Sequence, residues 1–225
     1  RRCRHSLDGK VLSYHPSAQS PPCHIAREST MPEVADLVRR WASRLDAAEG
    51  DVLDLACGAG QNGLFVAQRD EEQGRCDRNV VLLDRNIGEA VKRTADLPEA
   101  AQARVKHEET DLETEDNPSP LPKEAFGVAL VFNYLHRPLI PNLRECIKPG
   151  GLVLYKTFTW EHPSVGVRPS NPAFLLGPRE LESLFAGWEV LDFFEGIEEG
   201  AAHAGEGVRR AAVSSILCRK PTPSS

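Results

Sequence analysis

The residues whose types and spacing suit chemistry begin at Asp54. In residues 51–63, D-V-L-D-L-A-C-G-A-G-Q-N-G, this carboxylate stands four positions ahead of Gly58, and Gly60 and Gly63 complete a G-x-G-x-x-G pattern. Glycines let a backbone turn sharply and approach a ligand where a Cβ would intrude. Apolar Val52, Leu53 and Leu55 precede the turn, and Leu64-Phe-Val-Ala-Gln follows it. Strand, turn and helix N-terminus together form the nucleotide-binding corner of a doubly wound α/β sheet. The three glycines alone suggest NAD or FAD. Asp54 points elsewhere, because a carboxylate beside the turn repels a pyrophosphate and favours a ligand that carries positive charge. S-adenosylmethionine, with an ammonium, a sulfonium and no phosphate, meets that requirement.

Further polar residues fall at the ends of apolar runs. Asp84 closes Val80-Val-Leu-Leu-Asp84, where an acidic side chain can accept both ribose hydroxyls. It is equally compatible with capping a helix over residues 87–94, and Ile87 is placed to pack on an adenine face. Asp111 and Leu112 follow a short third strand. Asn133, Tyr134, His136 and Arg137 follow the strand at residues 127–132 and face the reactive end of any ligand in the crevice. His136 is the best base, since an imidazole suits proton removal near neutrality, and hydrogen bonding to the following loop is its plainer role. Tyr155 and Lys156 lie near the end of the fifth strand, where a lysine is unusual unless its head reaches water or a ligand. Arg137 and Arg168 suit an anionic acceptor, but surface ion pairing is the default reading for either.

The elements that must position these groups alternate along the chain. A helix is predicted over residues 32–45, with Val34, Leu37, Val38, Trp41 and Leu45 on one face and Ser29 or Thr30 as its cap. Strands are predicted over residues 51–55, 80–84, 104–107, 127–132, 152–158, 188–194 and 210–218, with helices over 139–147 and 179–185. Lys148-Pro-Gly-Gly151 reads as a sharp helix stop, and residues 195–207 read as a polar turn. Residues 159–178, with Trp160, His162, Arg168 and four prolines, read as an irregular loop forming a substrate-facing wall. The expected fold is a doubly wound, mostly parallel seven-stranded sheet with an antiparallel last strand. Residues 1–29 read as a poorly ordered arm or flap, and residues 30–220 as one catalytic domain.

At 225 residues, 40% hydrophobic and 27% charged, the chain suits one soluble domain. A net charge of −6 gives no general attraction to nucleic acid, and no apolar run approaches a membrane span. Six scattered cysteines argue against a disulfide framework and for a reduced, cytoplasmic setting. Cys3, His5, Cys23 and His24 match no compact zinc-ligand pattern, and no metal is expected. The chain opens on Arg1 rather than Met, and so reads as a trimmed chain or a piece of a longer one.

Taken together, D-L-A-C-G-A-G-Q-N-G, L-L-D-R-N, D-L-E, F-N-Y-L-H-R-P, K-P-G-G-L-V-L-Y-K-T-F and R-P-S-N-P-A-F-L-L resemble the class I S-adenosylmethionine-dependent methyltransferases, and within them the TehB-like, tellurite-resistance subgroup. The resemblance spans residues 30–218. It implies methyl transfer from S-adenosylmethionine, leaving S-adenosylhomocysteine. It implies cofactor contacts from Asp54, Ala56, Gly58, Gly60, Asn62, Asp84, Arg85, Asp111, Leu112 and Asn133, with Asp111 and Leu112 at the adenine. His136, Tyr134 and Lys156 are the catalytic candidates, and Arg137, Tyr155 and Arg168 the acceptor-side ones. Related sequences often carry Glu where Lys156 stands, which changes the charge beside the acceptor. Base-modifying enzymes commonly carry N/D-P-P-Y/F after the fourth strand, and N-Y-L-H lacks those prolines. The acceptor is therefore expected to be a small molecule: a thiol, a metalloid oxyanion or a carboxylate. A tRNA or protein acceptor is the alternative, followed by a non-catalytic cofactor-binding subunit and then a dehydrogenase.

Overall fold

The computed structural model describes residues 33–114, 121–166, 168–200 and 209–223. The predicted arm and the Cys3/His5/Cys23/His24 group lie outside them. Seven strands are present: β1 (Asp51–Leu55), β2 (Val80–Asp84), β3 (Val105–Glu109), β4 (Phe126–Phe132), β5 (Ile147–Phe158), β6 (Glu189–Gly200) and β7 (Arg209–Arg219). The helices are α1 (Asp36–Asp46), α2 (Gln61–Glu72), α3 (Gly88–Thr94), α4 (Glu99–Gln102), α5 (Ile140–Cys146), α6 (His162–Val165) and α7 (Glu180–Leu184). The strands form one sheet in the order β3-β2-β1-β4-β5-β7-β6. β7 runs antiparallel to both of its neighbours, and the other pairings are parallel. The expected fold class is the one observed.

Strand sequence explains the layering. Val52, Val80, Leu82, Val128, Leu130, Leu152 and Leu154 pack on one face with Leu37, Val38, Leu45, Leu64, Ala67 and Ala90 of α1, α2 and α3. Their neighbours Leu53, Val81, Leu83, Ala129, Val131, Val153 and Tyr155 pack on the other face with Ile140, Leu143 and Leu181 of α5 and α7 and with Phe185 beyond them. Alternate side chains thus meet opposite helical layers, and strands buried on both faces read as unbroken apolar runs. Connections leave β1 toward β2 on one side and reach β4 on the other. The order reverses between β1 and β4, which opens a crevice at their carboxyl ends.

α4 and α6 fall where no helix is predicted, α6 within the stretch read as an irregular loop, and three further elements have shifted bounds. α1 starts at Asp36, and the Ala35 amide before it donates to Asn62 Oδ1 at 3.0 Å. β5 begins at Ile147, before the glycine pair, because Ile147 still pairs with Phe126; the irregularity falls between Phe126 and Val128 on β4. β6 runs on to Gly200 through the Glu-rich stretch read as a turn. It pairs with β7 along that length, and an edge hairpin keeps its charged side chains in water while the backbone ladder continues.

Candidate active site

The glycine turn is shaped by the backbone first. Ala56, Gly58 and Gly60 all have positive φ, of 53°, 56° and 75°. Gly60 N–H closes the turn on Cys57 C=O at 2.9 Å, and Cys57 N–H continues the sheet pairing to Leu83 C=O at 3.1 Å. Two carboxylates then hold the turn from either side. Asp54 Oδ2 accepts from Gly63 N–H at 2.7 Å, and Asp84 Oδ2 accepts from Gly58 N–H at 2.9 Å. Asp84 Oδ1 takes the Asn86 amide at 3.0 Å, so this carboxylate shapes the turn after β2 rather than capping α3. Space separates the glycines. A Cβ on Gly63 would lie 2.5 Å from Leu82 Cδ2, so glycine there serves helix-on-sheet packing. Beside Gly58 the Cβ position has nothing within 4 Å, leaving room for a ligand against the backbone.

A cleft of about 350 Å³ opens in front of this turn. One wall is polar, with Ala56, Asp84, Arg85, Thr110, Asp111, Leu112 and Glu113. The other is mostly apolar, with Asn133, Tyr134, Leu135, Phe158, Pro169 and Phe174. Asp111 accepts from the Glu113 amide at 2.9 Å, which fixes the turn after β3. Asn133 adopts a positive φ of 55° and donates its amide to Lys156 C=O at 2.9 Å, extending the β4–β5 pairing one residue into the cleft.

Burial sets the electrostatics. Asp54 is 2% exposed, and loss of water raises its carboxyl to about 7; the Gly63 amide opposes this and the Asp84 charge adds to it. Burial, then the charges of Asp54 and Asp84, push the Cys57 thiol far up, so it is unreactive. The Tyr134 phenol is also raised, by burial first and then by Glu113, Asp111 and Asp84. Its hydroxyl is out of solvent, and of the charges around it Glu113 acts most strongly; it has no hydrogen-bond partner among the described residues.

Of the residues singled out from sequence, Ala56, Asp84, Arg85, Asp111, Leu112, Asn133 and Tyr134 meet in the cleft. Asp54 lies behind the turn, Gly58 and Gly60 are in the turn itself, and none of the three is among the residues lining the cleft. Asn62 is buried and holds the start of α1. Ile87 is in the core rather than at the cleft surface. Tyr155 is buried and donates its hydroxyl to Tyr134 C=O at 2.9 Å, steadying the backbone after β4. Lys156 pairs with Glu198. Arg137 forms a two-pronged pair with Glu180, Nε to Oε1 at 2.6 Å and Nη2 to Oε2 at 2.9 Å. His136 is half-buried and precedes a 3₁₀ turn at Arg137–Leu139, outside the cleft lining. Arg168 is exposed beside Pro169. His162, read as part of a substrate-facing wall, is instead 3% exposed and turned inward, because α6 lies against β7.

Sequence reasoning did not single out Thr110, Glu113, Leu135 or Phe158, while Pro169 and Phe174 fall in the loop read as a substrate-facing wall. Phe158 ends a strand at the crevice, and that rule alone would have found it. Which residues of that loop reach the cleft depends on how it returns to the sheet, and no spacing reveals this.

No family model and no curated protein sequence matches the chain. Solved structures do resemble it. TehB from Haemophilus influenzae aligns with a TM-score of 0.59 at 21% identity, over 82% of this chain and 61% of that one. The chain thus spans less than two thirds of TehB. NodS, an N-methyltransferase from Bradyrhizobium japonicum WM9 in complex with S-adenosyl-L-homocysteine, aligns with a TM-score of 0.54 at 16% identity, over 83% and 84%. The [4+2]-cyclase SpnF aligns with a TM-score of 0.57 at 18% identity, over 83% and 80%. At these identities the likeness concerns the fold: the chain has the seven-stranded Rossmann-like fold of the S-adenosylmethionine-dependent methyltransferases.

Proposed function

We propose that the chain binds S-adenosylmethionine in this cleft and transfers its methyl group to a small molecule. The observation that carries the reading is the pair of carboxylates gripping the glycine turn, Asp54 behind it and Asp84 in front, at 2.7 and 2.9 Å from its amides. They occupy amides that a pyrophosphate would need, and they place negative charge where a cationic ligand gains most. The donor set suits the adenosyl group as well. Asp84 is at hand for ribose hydroxyls, Asp111 for an exocyclic amine, Leu112 for a flat apolar ring face, and the open space at Gly58 for close backbone approach. When bound, the cofactor supplies an electrophilic methyl group on a sulfonium.

What the chain's own residues do is align the acceptor and keep water away. Tyr134, Phe158, Pro169 and Phe174 give the acceptor side an apolar surface, which suits a small apolar or aromatic molecule. Two of the cations that suit an oxyanion or carboxylate are engaged elsewhere, Arg137 with Glu180 and Lys156 with Glu198, and Arg85 stands on the acidic wall, beside Asp84. The lining carboxylates add to this disfavour. His136 stands outside the lining, and Tyr134 holds its proton more tightly than an ordinary phenol. These features favour an acceptor that arrives as its own nucleophile, a neutral amine or a thiol that ionises in solution, over one needing a strong base in the site. The motif resemblance to the TehB-like subgroup is in keeping with this reading.

Among the described residues the cleft lining carries carboxylates but no histidine or lysine, which supports a second reading, cofactor binding without transfer. Thermal-shift titration with S-adenosylmethionine, S-adenosylhomocysteine and NADH tests the binding. A ligand at 100 times its dissociation constant adds about 2.7 kcal/mol. Stabilisation by the two adenosyl ligands and not by NADH is expected. A response to NADH alone would overturn the reading. Turnover of labelled S-adenosylmethionine with amine and thiol panels separates transfer from binding alone.

A further inference from the structure

Residues 159–176 leave the end of β5, carry α6, and return to the sheet at Leu176. Trp160 N–H donates to Leu176 C=O at 2.8 Å, and Leu176 N–H to Phe158 C=O at 2.9 Å. Between these points the segment delivers Pro169 and Phe174 to the cleft. Phe174 is 44% exposed, so its own packing does not decide where it stands. Something else must.

Two side chains outside the cleft lining grip the segment, one on each side of that tip. His162 is buried beneath it. One ring nitrogen, Nε2, lies 2.8 Å from Arg168 C=O, and the other, Nδ1, accepts the Ala212 amide of β7 at 3.3 Å. A carbonyl can only accept and an amide only donate, so these partners call for a neutral ring with its proton on Nε2. Phe158, itself a cleft residue, packs on that ring at 4.3 Å between centroids. Gly166 crosses it so closely that a Cβ there would sit 2.3 Å from Cε1. On the other side of the tip, Arg137 Nη1 donates to Ala173 C=O and Nη2 to Leu175 C=O, both at 2.9 Å, while Glu180 orients the guanidinium from below.

We infer that His162 and Arg137 are positioning residues that hold the apolar wall of the cleft from its two ends, and so set the width of the acceptor side. Phe158, Pro169 and Phe174 are each tied to one of the two clamps. Calling this wall the acceptor side rests on the proposed methyl transfer; the clamps themselves do not.

The test uses the full chain and hydrogen–deuterium exchange over peptides covering residues 159–178, with His162→Gln, His162→Phe and Arg137→Lys. Glutamine offers one donor and one acceptor; phenylalanine fills the volume and stacks on Phe158 but offers neither. Exchange in the segment should rise about tenfold in His162→Phe, the effect of losing a buried hydrogen bond, and stay within about threefold of the parent in His162→Gln. Arg137→Lys should raise it near residues 173–176, since one ammonium cannot serve two carbonyls and a carboxylate as a planar fork does. S-adenosylhomocysteine affinity should hold within about twofold in all three, because no clamp touches the polar wall. Phenylalanine protecting the segment as well as glutamine does would overturn the inference. So would exchange rising equally in peptides from β1 and β4. Failure of the parent to bind S-adenosylhomocysteine would strike the proposed function and leave the exchange result standing. Once an acceptor is found, the clamp variants should raise its KM more than they lower kcat.

Discussion

Asp54 keeps a carboxyl in a place from which water is excluded, and its protonation is therefore linked to stability. Its folded value of about 7 lies above the ordinary 3.8, so the folded chain binds the extra proton between those limits. Stability from this group is present at about pH 4, falls as pH rises toward 7, and levels off beyond. Asp54→Asn keeps an acceptor for the Gly63 amide and removes the titration. Urea midpoints of that variant should change less between pH 4 and 7 than those of the parent. A cationic ligand in the cleft pulls the other way, favouring the ionised carboxylate. S-adenosylmethionine affinity measured by calorimetry should then rise through pH 7 in the parent and respond less to pH in Asp54→Asn. The two glycines divide structure from binding. Gly58→Ala meets no atom and incurs only positive-φ strain of about 1–2 kcal/mol, yet it should fill the ligand's space and lower adenosyl-ligand affinity at least tenfold. Gly63→Ala meets Leu82 and Asp54, and the overpacking should cost about 1–3 kcal/mol in urea melts.

At the scale of elements, one buried ion pair ties α1, α2 and the start of β2 together. Arg78 and Asp70 are both fully buried, joined by two bonds of 2.7 Å, and Arg78 also donates to Leu45 C=O at 2.8 Å and Ala48 C=O at 3.2 Å. It thereby adds a second donor to carbonyls at and just past the end of α1, where helical partners run out. Removing one partner strands the other charge in the core. Asp70→Ala should destabilise by about 3–5 kcal/mol. An Arg78→Met, Asp70→Leu double replacement should recover part of that loss, and only part, since the Leu45 and Ala48 carbonyls each lose one donor and keep only the Ala48 amide and Arg75 respectively. Urea denaturation of the single and double variants reads both. The exposed pair Arg210–Glu199 makes a useful contrast. It lies in high dielectric, and removing it should change stability by less than about 1 kcal/mol.

At the scale of the whole molecule, the crevice between the ends of β1 and β4 exists because the chain changes direction across the sheet. Carboxylates from the ends of β1 and β2, a turn after β3 and the backbone after β4 meet there although they are scattered from residue 54 to residue 133 in sequence. Much of this was legible in the residues. Unbroken apolar runs at β1, β2 and β4 required burial on both faces. Glycines beside Asp54 marked the turn, and the position of Asp84 at a strand end marked the polar wall. These features are local, repeating at the period of one element or lying at its terminus, and a sequence displays such features directly. The partners of Arg137, Tyr155, Lys156 and His162 were not legible, though ion pairing was the default reading for Arg137. Each carries a polar group whose partner lies 6 to 50 positions away: Arg168 for His162 on one side and Ala212 on the other, Glu180 for Arg137, Glu198 for Lys156, Tyr134 for Tyr155. A cation at a strand end looks the same in sequence whether it awaits an anion or already holds one. The sequence by itself determined the layers, the turn and the carboxylates, because burial and backbone conformation act on neighbouring residues. Only the tertiary structure decided which polar groups were spent on one another and which wall was left apolar, because hydrogen bonds and ion pairs form between whatever the folded chain brings within reach.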